Sequence, residues 1–157
     1  MNSPRLAIGA IAGAAVLALG AGAASAASSA APAPKSLSNP TLTGFQLIQR
    51  FENKLAPNQA SQLASFLSGS FIIRRSDGAT LNRAQYLQDH PYYPDWQAKV
   101  YEAEYQAPVL TVQAFTWTTT TVGQFNPGLF SFAWINGGWR MTGFAKFATQ
   151  STLPATG

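Results

Sequence analysis

The chain has no cysteine, one histidine (His90) and only six acidic residues in 157. Without cysteine no disulfide can staple the fold, so stability has to come from a packed core. The same shortage removes the usual structural zinc sites, and neither a metal nor a cofactor is expected. Charge is scarce altogether, with ten Lys/Arg against six Asp/Glu. The basic excess is mild and its only adjacent pair is Arg74-Arg75. That is not the clustered patch of a nucleic-acid binder, and no nucleic-acid partner is expected.

Long apolar runs are missing too, except at the start. Met1-Asn-Ser-Pro-Arg5 is short and positively charged, and an apolar Ala/Gly/Leu run follows from Leu6 to about Ala24. Ala24-Ser-Ala26 then matches the small-x-small cleavage pattern of a secretory signal peptide, which sets the expectation of a signal over 1–26. A membrane anchor is the rival reading, because the run is nearly long enough to span. Its Ala/Gly content makes it weakly hydrophobic, which favours cleavage near Ala26. No cysteine stands there to carry a lipid. The expected location is therefore secreted or in the cell envelope, with no membrane contact once the signal is removed. Losing 1–26 removes only Arg5 among the charged residues, so the remainder carries nine Lys/Arg and six Asp/Glu, a net of +3.

Residues 27–40 are Ala/Ser/Pro-rich and read as a flexible or polyproline-like spacer. From Thr41 to Leu55 the apolar residues Leu42, Phe45, Ile48, Phe51 and Leu55 recur every three or four positions, with Gln46, Gln49, Arg50, Glu52 and Asn53 opposite. That is an amphipathic helix, closed by Pro57. A shorter helix follows, capped by Asn58, lined by Ala60, Leu63, Ala64 and Leu67, and ended by Gly69. Ser70 to Arg75 is a strand candidate, turned back by Ser76-Asp-Gly78. Asn82 can cap a third helix, Arg83 to about Asp89, which must stop before Pro91. The loop from His90 to Trp96 holds His90, Tyr92, Tyr93 and Trp96 between prolines.

Gln97 to Thr121 reads as two strands broken near Ala107-Pro108. Strict alternation puts Tyr101 and Tyr105 on one face, as core candidates, and Val100, Glu102 and Glu104 on the other. Phe115 and Trp117 share a face with Val109. The last two strands surround Asn136-Gly137, a strong hairpin signal because both turn residues take φ > 0. With that pair as the loop, Ile135 faces Gly138, Trp134 faces Trp139, Phe132 faces Met141 and Phe130 faces Gly143. One face then carries Phe130, Phe132, Trp134, Trp139 and Met141, with Trp134 and Trp139 as core residues. The other carries Leu129, Ser131, Ala133, Arg140, Thr142 and Phe144. A face that aromatic needs cover, and the two N-terminal helices supply it. The expected fold is α+β, a curved antiparallel sheet of four to six strands wrapped around the helices. Residues 149–157 read as a disordered polar tail. Its end, Leu153 to Gly157, matches a sortase sorting pentapeptide, but no apolar helix or basic tail follows it.

Two helices, then Phe71-Ile-Ile-Arg-Arg-Ser-Asp-Gly78, Leu81-Asn-Arg-Ala-Gln-Tyr-Leu87, and strands closing on Asn136-Gly-Gly-Trp-Arg-Met-Thr-Gly-Phe144, resemble the nuclear-transport-factor-2-like superfamily. Within it the polyketide-cyclase-like (SnoaL-like) branch is the most similar. The resemblance covers residues 41–148. It implies a cone-shaped, cystatin-like fold with a cavity at the open end. It does not imply one chemistry, because the fold serves isomerases, cyclases, dehydratases and non-catalytic binding or dimerisation modules.

Asp77 is the most inviting acid for a general base, but Ser-Asp-Gly after a strand is equally a turn in which aspartate bonds its own backbone. Glu102 and Glu104 share a strand face, as a carboxylate pair needs, yet the alternation sends them to solvent. His90 reads in two ways: a helix-terminal histidine favoured by the dipole, or part of a pocket rim with the aromatic loop. Arg74 and Arg75 point to opposite sides, so at most one reaches a cavity, where it would suit an anion. No catalytic set is identified. The ligand-binding candidates are Tyr86, His90, Tyr92, Tyr93, Trp96 and Arg74. The expected activity is binding of a small apolar or amphipathic ligand or a protein partner, with a homodimer through the outer sheet face. The alternative is an isomerase, cyclase or dehydratase using Asp77 or His90 with Tyr86, Tyr92 or Tyr93.

Overall fold

A computed structural model describes residues 30–89, 91, 92, 94–120 and 123–152. The signal-peptide reading, His90, Tyr93 and the Leu153–Gly157 pentapeptide lie outside them.

Helix α1 runs Pro40–Asn53. Asn39 caps it, its Oδ1 accepting from the Leu42 amide at 2.9 Å, and Pro40 fills the first turn, where no donor is needed. Gly44, Leu47, Ile48 and Phe51 form its buried stripe. At Gly44 the helix touches the sheet, since a Cβ there would sit 2.7 Å from Cγ2 of Val112. After a 3₁₀ turn at Pro57–Gln59, α2 covers Ala60–Phe66. No side chain caps α2, so Asn58 does not take the expected role. The strand also starts earlier than expected: β1 is Leu67–Arg74, with Leu67 and Gly69 inside it. Leu67 is 3 % exposed, because the chain leaves the helix directly into the sheet.

The strand β2 is a short Thr80–Asn82, joined to β1 by a turn in which Gly78 takes φ +86° and Asp77 Oδ1 accepts from the Ala79 amide at 2.9 Å. Helix α3 spans Arg83–Asp89 behind a reciprocal cap: Asn82 Oδ1 accepts from the Gln85 amide, and Gln85 Oε1 from the Asn82 amide. The long strands are β3 Trp96–Gln106, β4 Val109–Thr118, β5 Asn126–Ile135 and β6 Gly138–Lys146. The six strands form one curved, unclosed sheet in the order β2-β1-β6-β5-β4-β3. All pairings are antiparallel except β1 with β6, which run parallel. The sheet is therefore mixed rather than purely antiparallel.

Two bulges decide which side chains face the helices. In β6 the hairpin begins as expected, with Ile135 opposite Gly138, Trp134 opposite Trp139 and Phe132 opposite Met141. Thr142 is then an extra residue, so Ser131 meets Gly143 and Phe130 meets Phe144. The added residue reverses the alternation beyond it. Phe144, expected on the outer face, is 4 % exposed and stacks on Phe130 at 4.2 Å. In β3 the extra residue is Tyr101, between the pairs Val100–Ala114 and Glu102–Gln113. Tyr101 consequently lies outside the core, 46 % exposed and against Phe115. Tyr105 packs on the core side as expected, and Val100, expected on the other face, joins it.

The core joins Ile48, Phe51 and Leu63 of the helices to Phe71, Leu110, Val112, Phe130, Phe132 and Met141 of the sheet. Trp134 and Trp139 are half-buried at one end of it, with rings perpendicular at 5.6 Å. Residues 30–39 lie across that end without helix or strand. The Ala31 carbonyl accepts from Trp134 Nε1 at 2.9 Å, the Pro34 carbonyl accepts from the Tyr105 hydroxyl, and Leu37 packs on the core. At the other terminus, Gln150 exchanges two backbone hydrogen bonds with Phe125.

Candidate functional site

The strands present their other ends, the start of β3 and the last residues of β1 and β6, to a cleft of about 230 Å³. Leu55, Ile73, Tyr86 and Phe144 supply apolar or aromatic lining, and Arg75, Ser76, Asp77, Pro91, Trp96 and Lys146 complete it. The lining follows from the chain's alternation. Phe71 and Ile73 of β1 are core residues. Arg75, two further on, continues that inward parity past the strand end. Lys146 does the same in β6, two residues after Phe144, and only because of the Thr142 bulge.

Tyr86 is buried, joined to the core through Phe71 at 5.3 Å and Phe51 at 6.2 Å between ring centres. Lys146 lies over the Trp96 ring at 5.3 Å and the Phe144 ring at 5.9 Å. Burial first, and then the neighbouring charge of Arg75, hold its ammonium below the usual lysine range. Arg75 is paired with Asp89, the last residue of α3.

The sequence candidates are only partly gathered here. Tyr86 and Trp96 line the cleft, whereas Tyr92 is exposed. Arg75 rather than Arg74 reaches it. Arg74 is exposed and lines an adjoining groove with Arg75, Ser76, Gly78, Lys146 and Phe147. Asp77 is on the cleft lip and also makes the turn bond expected of it. Glu102 and Glu104 are exposed, and Glu102 accepts from the Gln113 side chain at 2.7 Å.

One acid escaped the sequence reading. Glu52 was placed on the polar side of α1, but its Oε1 is buried without a hydrogen-bond partner. Desolvation raises its pKa from the usual 4.5 to about 8, so it is mostly protonated at neutral pH. It lies four residues beyond the fully buried Ile48, on the shoulder of the apolar stripe. Among the described residues no group of three His, Cys, Asp or Glu side chains is placed to hold a metal, and no helix is long and apolar enough to cross a membrane.

No protein-family model matches the chain, and no curated protein matches it. Solved structures do. A nuclear-transport-factor-2-like protein from Cytophaga hutchinsonii superposes with a TM-score of 0.60 at 11 % identity, covering 70 % of this chain and 98 % of that one. A domain of unknown function with a cystatin-like fold from Nostoc punctiforme gives 0.55 at 10 % identity, over 71 % and 78 % of the two chains. A nuclear-transport-factor-2-like protein of unknown function from Silicibacter pomeroyi gives 0.54 at 12 %, over 70 % and 93 %. At such identities the likeness establishes the fold.

Proposed function

We propose that this protein, whose fold is that of the nuclear-transport-factor-2-like superfamily, binds a small amphipathic molecule in the cleft between α3, β1, β3 and β6. The supporting observation is the division of the lining, with Leu55, Ile73, Tyr86 and Phe144 as apolar surface and Arg75, Asp77 and Lys146 as charged groups. Small-molecule sites join an apolar wall to a few placed polar groups in this way. A volume of about 230 Å³ restricts the occupant to a small molecule or to one end of a longer one. Of the sequence candidates, Tyr86 and Trp96 are assigned to this site, and Arg75 takes the place of Arg74. The signal pattern over 1–26 supports export to the envelope or the medium, where such a domain would meet its ligand. The exposed Tyr101, Val109 and Leu129 on the outer sheet face support a homodimer through that face.

The test is native mass spectrometry of the processed chain with solvent extraction of whatever it carries. A small amphipathic adduct is expected, and adding it back should raise Tm. An adduct-free protein whose Tm ignores a panel of small amphiphiles overturns the reading.

A further inference from the structure

Away from the cleft, the chain covers its own sheet end with a segment whose shape is written in its residues. Ala31-Pro-Ala-Pro34 can adopt little besides an extended, polyproline-like turn. Each proline fixes its φ at about −65°, and Ala31 and Ala33, each preceding a proline, are kept out of the helical region. A polyproline helix repeats every three residues and makes no internal hydrogen bonds. The carbonyls of residues 31 and 34 therefore face the same side, about 9 Å apart, and need donors from elsewhere.

The sheet end supplies donors at that spacing. Trp134 Nε1 donates to the Ala31 carbonyl at 2.9 Å, and the Tyr105 hydroxyl donates to the Pro34 carbonyl. Trp139 links the two. Its ring centre is 5.9 Å from that of Tyr105 and 5.6 Å from that of Trp134, with the planes at 71° and 90°. All three side chains are half-buried. Tyrosine and tryptophan combine an apolar ring with a polar edge, which suits them to an apolar backbone that offers only carbonyls. The hairpin turn closes on the same segment, since a Cβ on Gly137 would lie 3.3 Å from the Ala31 nitrogen.

We propose that Tyr105, Trp134 and Trp139 form a binding site for an extended Pro-x-Pro peptide, and that residues 31–34 are its resident ligand, docked in cis. Aromatic grooves take such segments because the peptide is already extended and loses little freedom on binding. Here the ligand is tethered, and a short tether sets an effective concentration of about millimolar, so the chain's own segment excludes free peptide until its hold is weakened. The site is separate from the cleft, and neither reading depends on the other.

The experiment uses the full chain carrying Pro32→Gly and Pro34→Gly, which keeps both accepting carbonyls and removes only the stiffness. Its Trp134 indole N–H should exchange with solvent about tenfold faster than in the wild type, with the backbone amides of β5 and β6 unchanged. A synthetic peptide of residues 30–36 at millimolar concentration should then shift the Trp134 indole resonance of the variant and slow its exchange again. The same peptide with glycine for both prolines should do neither. Adding Trp134→Phe to the variant keeps a ring and removes the donor, and should weaken the proline peptide about fivefold, read at the Trp139 indole. An indole as protected in the variant as in the wild type overturns docking through the prolines. Equal binding of the two peptides overturns the choice of an extended proline segment, and a freed indole that responds to neither peptide overturns the site. Should the double variant fail to fold, Pro32→Gly alone, at an exposed position, is read in the same way.

Discussion

Glu52 shows what one side chain does to the energetics of this fold. Its folded pKa of about 8 stands above the ordinary 4.5, so between those values the folded chain holds a proton that the unfolded chain has released. Stability therefore falls as pH rises through that window, by about 1.4 kcal/mol per unit for one full proton. Below pH 4.5 the penalty vanishes, because both states are protonated. Glu52→Gln keeps the shape and cannot ionise. Denaturant unfolding should find the variant and the wild type close at pH 4.5 and the variant ahead by roughly 4 kcal/mol at pH 8. Parallel pH profiles for the two proteins would show that the residue titrates normally. The sequence did not disclose this, because a glutamate beside Asn53 on a helical wheel looks solvated. Only the tertiary packing of the α1 shoulder decides otherwise. Asp77 is the opposite case: a Ser-Asp-Gly turn is local chemistry, and local chemistry was readable.

At the scale of the element, helices and turns were legible and strand faces were not always. The capping chemistry of Asn82, the range of α3 and the Asn136-Gly137 turn all follow from short-range rules, and the structure keeps each of them. Strict alternation failed at two residues, Tyr101 and Thr142, where the strand carries one more residue than its partner. No residue type announces such a bulge: the one at Thr142 turned Phe144 inward, and the one at Tyr101 left Tyr101 outside the core with Val100 packed on it. The Thr142 bulge has a measurable consequence. Deleting Thr142 removes the extra residue and leaves Phe144 two places after Met141, so plain alternation keeps Phe144 inward and the deletion gives up only the bulge's local bend. Thr142→Ala keeps the extra residue and loses only the hydroxyl's bond to the Ser131 Oγ at 2.9 Å, worth about 1 kcal/mol. Chemical denaturation should show a modest loss for both variants, whereas Phe144→Ala should lose about 3–5 kcal/mol. A deletion as costly as Phe144→Ala would mean that Phe144 does not keep its inward face once the bulge is gone.

At the scale of the molecule, the resemblance carried by the two motifs led to the right architecture, and the α+β arrangement was visible in the order of elements. The parallel contact between β1 and β6 was not, because pairing between residues 67–74 and 138–146 leaves no local trace. The cleft inherits that difficulty, since its walls come from Leu55, Ile73, Tyr86, Trp96 and Lys146, scattered along the chain. The outer face carries its own prediction. Tyr101, raised on its bulge and packed on Phe115, is central to the proposed dimer contact. Tyr101→Arg should convert a dimer to a monomer in light scattering at micromolar concentration, with the unfolding transition of the isolated chain little changed. A wild-type monomer at those concentrations removes the dimer outright.

The position of β6 has a consequence for how the chain is made. Its neighbours are β1 on one side and β5 on the other, so it alone joins the β2-β1 pair to the β5-β4-β3 set. It is also the last strand among the described residues. Until residues 138–146 have emerged, the first hairpin has no sheet to join, and the edge of β1 that pairs with β6 stays without its ladder. Any polypeptide cut short before Gly138 therefore consists of two fragments of sheet with no bridge between them. The growing chain cannot lock into its final form early, and completion of the last strand is the event that closes the structure.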